Sequence, residues 1–169
     1  MEAAVSGPLS RRVARRGSMD PRELVAHDRN WRLHPVDQRE AMRAALESLG
    51  WLEDVMVSER TGRILNGHLR VEDAIKRGDD VVPTSWVDLD AGEELFVLET
   101  FDAIAGLAVV DREKLAALAG LLPAATPAPI EALLETLSRG PRDRLGGGGG
   151  GSSEPGGPAH KCPRCGNEW

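Results

Sequence analysis

Apolar positions recur along this chain with two periods, and the switches between them mark out elements. Met42, Ala45, Leu46 and Leu49 follow the i, i+3, i+4, i+7 spacing of one helix face. Asp37 and Glu40 offer a capping box at its start, and Gly50 closes it. Val55-Met56-Val57 then reads as a short strand, Glu59-Arg60-Thr61-Gly62 as a turn, and Ile64-Leu65 as the returning strand of a tight hairpin. A second helix starts at Gly67 or His68, carries Leu69, Ala74 and Ile75, and ends at Gly78; the stretch from Val81-Val82-Pro83 to Val87 is another strand. Helices are expected from Glu93 to Ala105 and from Arg112 to Leu118, the latter capped by Asp111. The order helix, strand, strand, helix, strand predicts a small α+β (α/β) domain with a short mixed sheet and packed helices.

Periodicity stops at both ends of this region. Residues 1–18 are rich in Ala, Ser and Gly around Arg11, Arg12, Arg15 and Arg16, and are expected to be a disordered basic leader. A basic arm on nucleic acid and an Arg-rich transit peptide are its alternatives. Met19-Asp20-Pro21 opens the organised sequence, so Met19 competes with Met1 as the start. The domain is expected over 19–122, with a Pro-containing hinge and short helix over 123–145, marked by Pro123, Pro127 and Pro129. A Gly-rich linker follows over 146–159, and residues 160–169 form a separate small module.

Composition narrows the function. At 169 residues there is length for one domain plus tails. A net charge of −6 argues against a general polyanion-binding surface, because nonspecific DNA affinity comes from Lys and Arg displacing counterions; nucleic-acid contacts should be local. No apolar run reaches the roughly 18 residues of a membrane helix and no secretory signal opens the chain, so a cytoplasmic location without membrane contact is expected. Both cysteines, Cys162 and Cys165, sit in the tail, so the domain holds no disulfide and must stand by packing.

Chemistry is expected where strand Ile64-Leu65 meets the next helix. A helix N-terminus presents unpaired N–H groups and a positive dipole end, a natural anion site. Gly67 lets a phosphate approach the backbone, and Arg70, three residues on, can fork onto its oxygens. His68 offers a further contact or a pH-sensitive group, and Asn66 can orient a ligand or a loop. Strand-Gly-helix junctions are common for purely steric reasons, and spacing alone favours that explanation of Gly67.

The flanks add a resemblance. Asn30-Trp31-Arg32-Leu33-His34-Pro35, Gln38, Gly50-Trp51, Val55-Met56-Val57, Thr61-Gly62-Arg63-Ile64-Leu65-Asn66-Gly67-His68-Leu69-Arg70 and Val82-Pro83 occur in the order found in ParB-like N-terminal domains. The run from Leu24 to Leu89 resembles these domains and their sulfiredoxin relatives, especially the short phage and actinobacterial forms. In that family the Gly-x-x-Arg turn binds nucleotide phosphates, CTP in partition proteins and ATP in sulfiredoxins and free serine kinases. The resemblance implies a phosphate site at Asn66, Gly67, His68 and Arg70, with Asn30 and Arg32 nearby, and CTP or ATP with Mg²⁺ as ligand. It implies an accessory role in phage or plasmid DNA metabolism, with DNA, a DNA-processing protein and a second copy of the chain as partners.

Departures from the family pattern limit the chemistry. His68 stands where sulfiredoxin has its reactive cysteine, which removes thiol chemistry. Leu98-Glu99-Thr100-Phe101-Asp102 lacks the arginine of the partition-protein motif tied to CTP turnover. The 103–138 stretch is short and not basic, unlike the helix-turn-helix domain of partition proteins. The family is also labelled a nuclease, for which His68, Glu72 and Asp73 are the catalytic candidates, although adjacent helical carboxylates point in different directions. Nucleotide hydrolysis, phosphotransfer and Mg²⁺-dependent DNA cleavage therefore stand beside a non-catalytic adaptor.

His160-Lys161-Cys162-Pro163-Arg164-Cys165-Gly166 resembles one zinc knuckle, with Cys162 and Cys165 as ligands and His160 as a third. Structural zinc takes four ligands, so a complete site needs another group or chain. A metal-free tail and a redox pair are the alternatives, the latter without the strand-helix setting that lowers a thiol pKa.

Overall fold

The computed structural model describes residues 10–139, and those up to Ser138 fall in one compact unit. The elements are β1 (Val13–Met19), a single 3-10 turn (Pro21–Glu23), β2 (Val25–Ala26), α1 (Val36–Leu49), β3 (Val55–Ser58), β4 (Arg63–Asn66), α2 (His68–Arg77), β5 (Val82–Val87), α3 (Ala91–Gly106), α4 (Arg112–Ala119) and α5 (Ala128–Arg139). The strands form one mixed sheet in the order β1-β5-β3-β4-β2. β3 pairs antiparallel with β4 as the expected hairpin and parallel with β5, so β4 and α2 form the crossover between the two parallel strands.

Strand alternation divides the core into two faces. Val55, Val57, Ile64 and Val82 pack with Val71 and Ala74 of α2 and with Leu24. Leu65, Val87 and Leu89 pack on the opposite face with Leu98 of α3, beside Met56 and Leu95. The sheet is thus a layer between α2 and α3, and neighbouring residues Ile64 and Leu65 serve different cores.

Three expectations need correction. The leader expected over 1–18 instead supplies β1, whose Arg16, Gly17 and Ser18 pair with Ser85, Thr84 and Pro83 of β5. Backbone hydrogen bonding makes this strand, and its side chains stay largely outside the core, so no apolar alternation announced it. Three of the four leader arginines are tied to the domain: Arg12 pairs with Glu93, Arg15 with Glu59, and Arg16 with Asp54. Second, α1 has no capping box; Pro35 occupies the cap position, and the Asp37 carboxylate instead accepts the Gln38 N–H. Third, α1 buries Ala41, Ala44 and Leu46 and leaves Leu49 exposed, because α1 turns its small side chains towards its packing partners. A capping box forms instead at α3, where Asp90 and Glu93 cap reciprocally, and the expected Asp111 cap of α4 is present through the Lys114 N–H.

Candidate functional site

β4 delivers its last residue, Asn66, to the mouth of a groove of about 590 Å³, and Gly67 then turns the chain into α2. Gly67 has φ of 100°, the left-handed region that suits glycine. Its missing Cβ is needed by the fold as well, since a Cβ there would lie 3.3 Å from Arg70 Nη2 and 3.4 Å from the Val55 Cα. The glycine therefore lets Arg70 fold back beneath the turn and lets β3 pass close by. No side chain caps α2, so its first N–H groups are left to whatever occupies the groove wall formed by Gly67, His68 and Leu69.

Arg70 is buried, with Nη2 donating to Asn66 Oδ1 at 3.1 Å and Nη1 to Glu53 Oε2 at 2.6 Å. Arg32 reaches the same groove from the loop before α1. Its Nη2 donates to the Leu98 carbonyl at 3.1 Å, its Nε lies 3.2 Å from Asp102 Oδ2, and its guanidinium rests 5.2 Å from the Trp31 ring centre. Asp102 closes the circuit by accepting from Asn66 Nδ2 at 2.8 Å. Two guanidiniums and an uncapped helix N-terminus thus converge around Asn66.

His68 is buried within this wall. Burial foremost, then the Arg32 charge, pushes its pKa down to about 4, so the ring is neutral near pH 7. Its Nε2 accepts the His27 N–H at 3.3 Å, an assignment that places the ring hydrogen on Nδ1. The ring therefore acts as a fixed neutral group rather than a proton switch near neutrality. Further back, the carboxylate of Glu94 is buried and accepts from Ser58 Oγ and Thr61 Oγ1, pinning α3 to the β3-β4 turn.

The other candidates lie apart. Asn30 does not line the groove; its Oδ1 accepts the Arg32 N–H at 3.4 Å and so shapes the loop that presents Arg32. Glu72 is bound to Arg39 at 2.5 Å and Asp73 to Arg43 at 2.8 Å, and neither lines the groove. These are ties between α1 and α2, and among the described residues no group of three or more His, Cys, Asp or Glu is placed to hold a metal. Mg²⁺ ordinarily keeps several waters and takes one or two carboxylates beside substrate phosphates, so the absence of such a cluster assigns it no protein cage here. His160, Cys162 and Cys165 lie outside the described residues.

Groove residues that were not among the expected ligand contacts include Arg16, His34, Gln38, Glu53, Asp54 and Asp102. Only His34 and Gln38 carried a signal, being four apart, with His34 Nδ1 and Gln38 Oε1 3.1 Å from each other. The acids came from separate elements and had none.

No protein-family model matches the sequence, and no curated protein matches it. Among solved structures, the chain is similar to the C-terminally truncated chromosome-partitioning protein ParB from Caulobacter crescentus complexed with CTP-gamma-S. The two share 20% identity over 73% of this chain and 71% of that one, with a TM-score of 0.51. The fold is that of a ParB-like N-terminal domain. A Pnob8-like ParB-N domain is also similar, at 17% identity and a TM-score of 0.46, and the match spans 60% of this chain and 41% of that one. Within the ParB-like fold, the groove described above lies at the β4-α2 junction. No helix among the described residues is long and apolar enough to cross a membrane.

Proposed function

We propose that this ParB-like domain binds a nucleotide, CTP or ATP, with its phosphates over the Gly67-His68-Leu69-Arg70 turn. The observation that carries this reading is the convergence of Arg32, Arg70 and the uncapped α2 N-terminus on one groove. Cationic forks and free backbone N–H groups are what phosphate oxygens require. A fold shared with a ParB complexed with CTP-gamma-S supports the choice of nucleotide. On this reading the protein is a cytoplasmic accessory of phage or plasmid DNA metabolism, acting with DNA or a DNA-processing protein and as a homodimer. No catalytic residue is assigned, because His68 is buried and neutral while Glu72 and Asp73 are engaged away from the groove.

Thermal unfolding with CTP, ATP, GTP and ADP, with and without Mg²⁺, tests the proposal. A ligand held by the native state alone raises the midpoint by mass action. CTP or ATP should raise it, and Arg70→Ala should abolish most of the rise. An unchanged shift in Arg70→Ala would move the phosphates elsewhere, and no shift with any nucleotide would reject the reading.

A second reading, a non-catalytic protein adaptor, is favoured by the apolar side chains that α3 and its continuation leave exposed, including Phe96, Ile104, Leu107 and Val109. It predicts a flat response to every nucleotide in the same panel.

A further inference from the structure

Each cationic group of the groove already holds an anion, and that anion is a carboxylate of this chain. Asp102 spends both oxygens on the site, Oδ1 on Asn66 Nδ2 at 2.8 Å and Oδ2 on Arg32 Nε at 3.2 Å. Glu53 approaches Arg70 Nη1 to 2.6 Å. The pairs are lopsided. The side chains of Arg32 and Arg70 are 14% and 10% exposed, whereas those of Asp102 and Glu53 are 47% and 76% exposed.

Each arginine also has a partner besides its own acid, Arg32 the Leu98 carbonyl and Arg70 the Asn66 Oδ1. Removing an acid therefore leaves its arginine in place. An acid that swings out returns to water at little desolvation cost, whereas a half-exposed ion pair contributes modestly at most.

We propose that Asp102 and Glu53 are built-in competitors of the ligand's phosphates, occupying Arg32, Asn66 and Arg70 until a phosphate exchanges with them. The two acids set the affinity of the site and select for ligands carrying several phosphate oxygens, since such a ligand can replace both carboxylates at once. Asn66 links the two halves, donating to Asp102 and accepting from Arg70. This proposal rests on the nucleotide reading above and adds what that reading lacks, namely a role for the carboxylates already paired with Arg32 and Arg70.

Calorimetric titration of the full chain with CTP and Mg²⁺, and separately with inorganic triphosphate, tests it on wild type, Asp102→Ala, Glu53→Ala and Glu113→Gln. Glu113 is an exposed acid in the first turn of α4, outside the groove, and controls for net charge. Asp102→Ala and Glu53→Ala should each tighten binding of both probes by up to about fivefold, the scale of one exposed ion pair. Glu113→Gln should leave it unchanged. Tighter binding by the two groove variants where wild type binds weakly or below detection supports the proposal. Wild-type binding with an unchanged or weaker Asp102→Ala overturns the proposal and leaves the nucleotide reading standing. An equal gain in Glu113→Gln overturns it as well, by reducing the effect to net charge. Failure of every protein to bind either probe removes both.

Discussion

Helices α2 and α3 lie on opposite faces of one sheet and are held there by different forces. α2 buries six of its ten residues, His68, Leu69, Arg70, Val71, Asp73 and Ala74 among them. α3 is longer and buries two of sixteen, Glu94 and Leu98. Polar ties supplement Leu98 in fixing α3: its reciprocal cap, the Glu94 bonds to Ser58 and Thr61, and the Asp102 contacts with Asn66 and Arg32. Burial holds a helix firmly and without direction, whereas polar ties are directional and exchangeable. The turn proposed to hold phosphates thus starts the deeply buried helix, and the acid proposed to compete with them, Asp102, lies on the less buried one.

The largest expected effect tests the apolar share of that anchoring. Leu98→Ala removes the only buried apolar side chain of α3 and should cost about 2–5 kcal/mol in urea unfolding. A loss below about 1 kcal/mol would mean that polar ties alone seat the helix and would sharpen the contrast.

The second concerns the buried end of α2. Folding lowers the His68 pKa from 6.5 to about 4, so between these values the unfolded chain binds more protons than the native one. Its contribution is fully present above pH 6.5, falls as pH drops, and levels off below about 4. The size is at most about 3 kcal/mol. Urea unfolding across this range should show the slope in wild type and not in His68→Gln; equal slopes would place the titration on another group.

The smallest effect is expected on the open face of α3. Phe96 is 65% exposed, so Phe96→Ser should change stability by no more than about 0.5 kcal/mol. A larger loss would show that this face is covered in solution and would erase much of the difference between the two helices.

Legibility followed the same division. The hairpin, α2 with its start at His68, β5 and the Asp111 cap were readable because each rests on local period or local capping. β1 was not, since Val-Ala-Arg-Arg-Gly-Ser-Met gains its strand geometry from the backbone of β5 and carries no alternating face. Asp37 and Glu40 had the right spacing for a box, but the chain entered α1 through Pro35.

The candidate site divides in the same way. Gly67 and Arg70 could be found because a strand, a glycine and a helix start are consecutive in sequence, and the neighbouring motifs made the fold recognisable. Asn66, His68 and Arg32 also line the groove, while Asn30, Glu72 and Asp73 do not. The sequence by itself determined the hairpin, α2, β5 and the turn, because hydrophobic period, capping and glycine conformation act over a few residues. Tertiary structure alone decided which charges meet there. Asp102 reaches Asn66 across 36 positions and Glu53 reaches Arg70 across 17, and only the packing of α3 and the loop before β3 near the end of β4 brings these acids onto the cations.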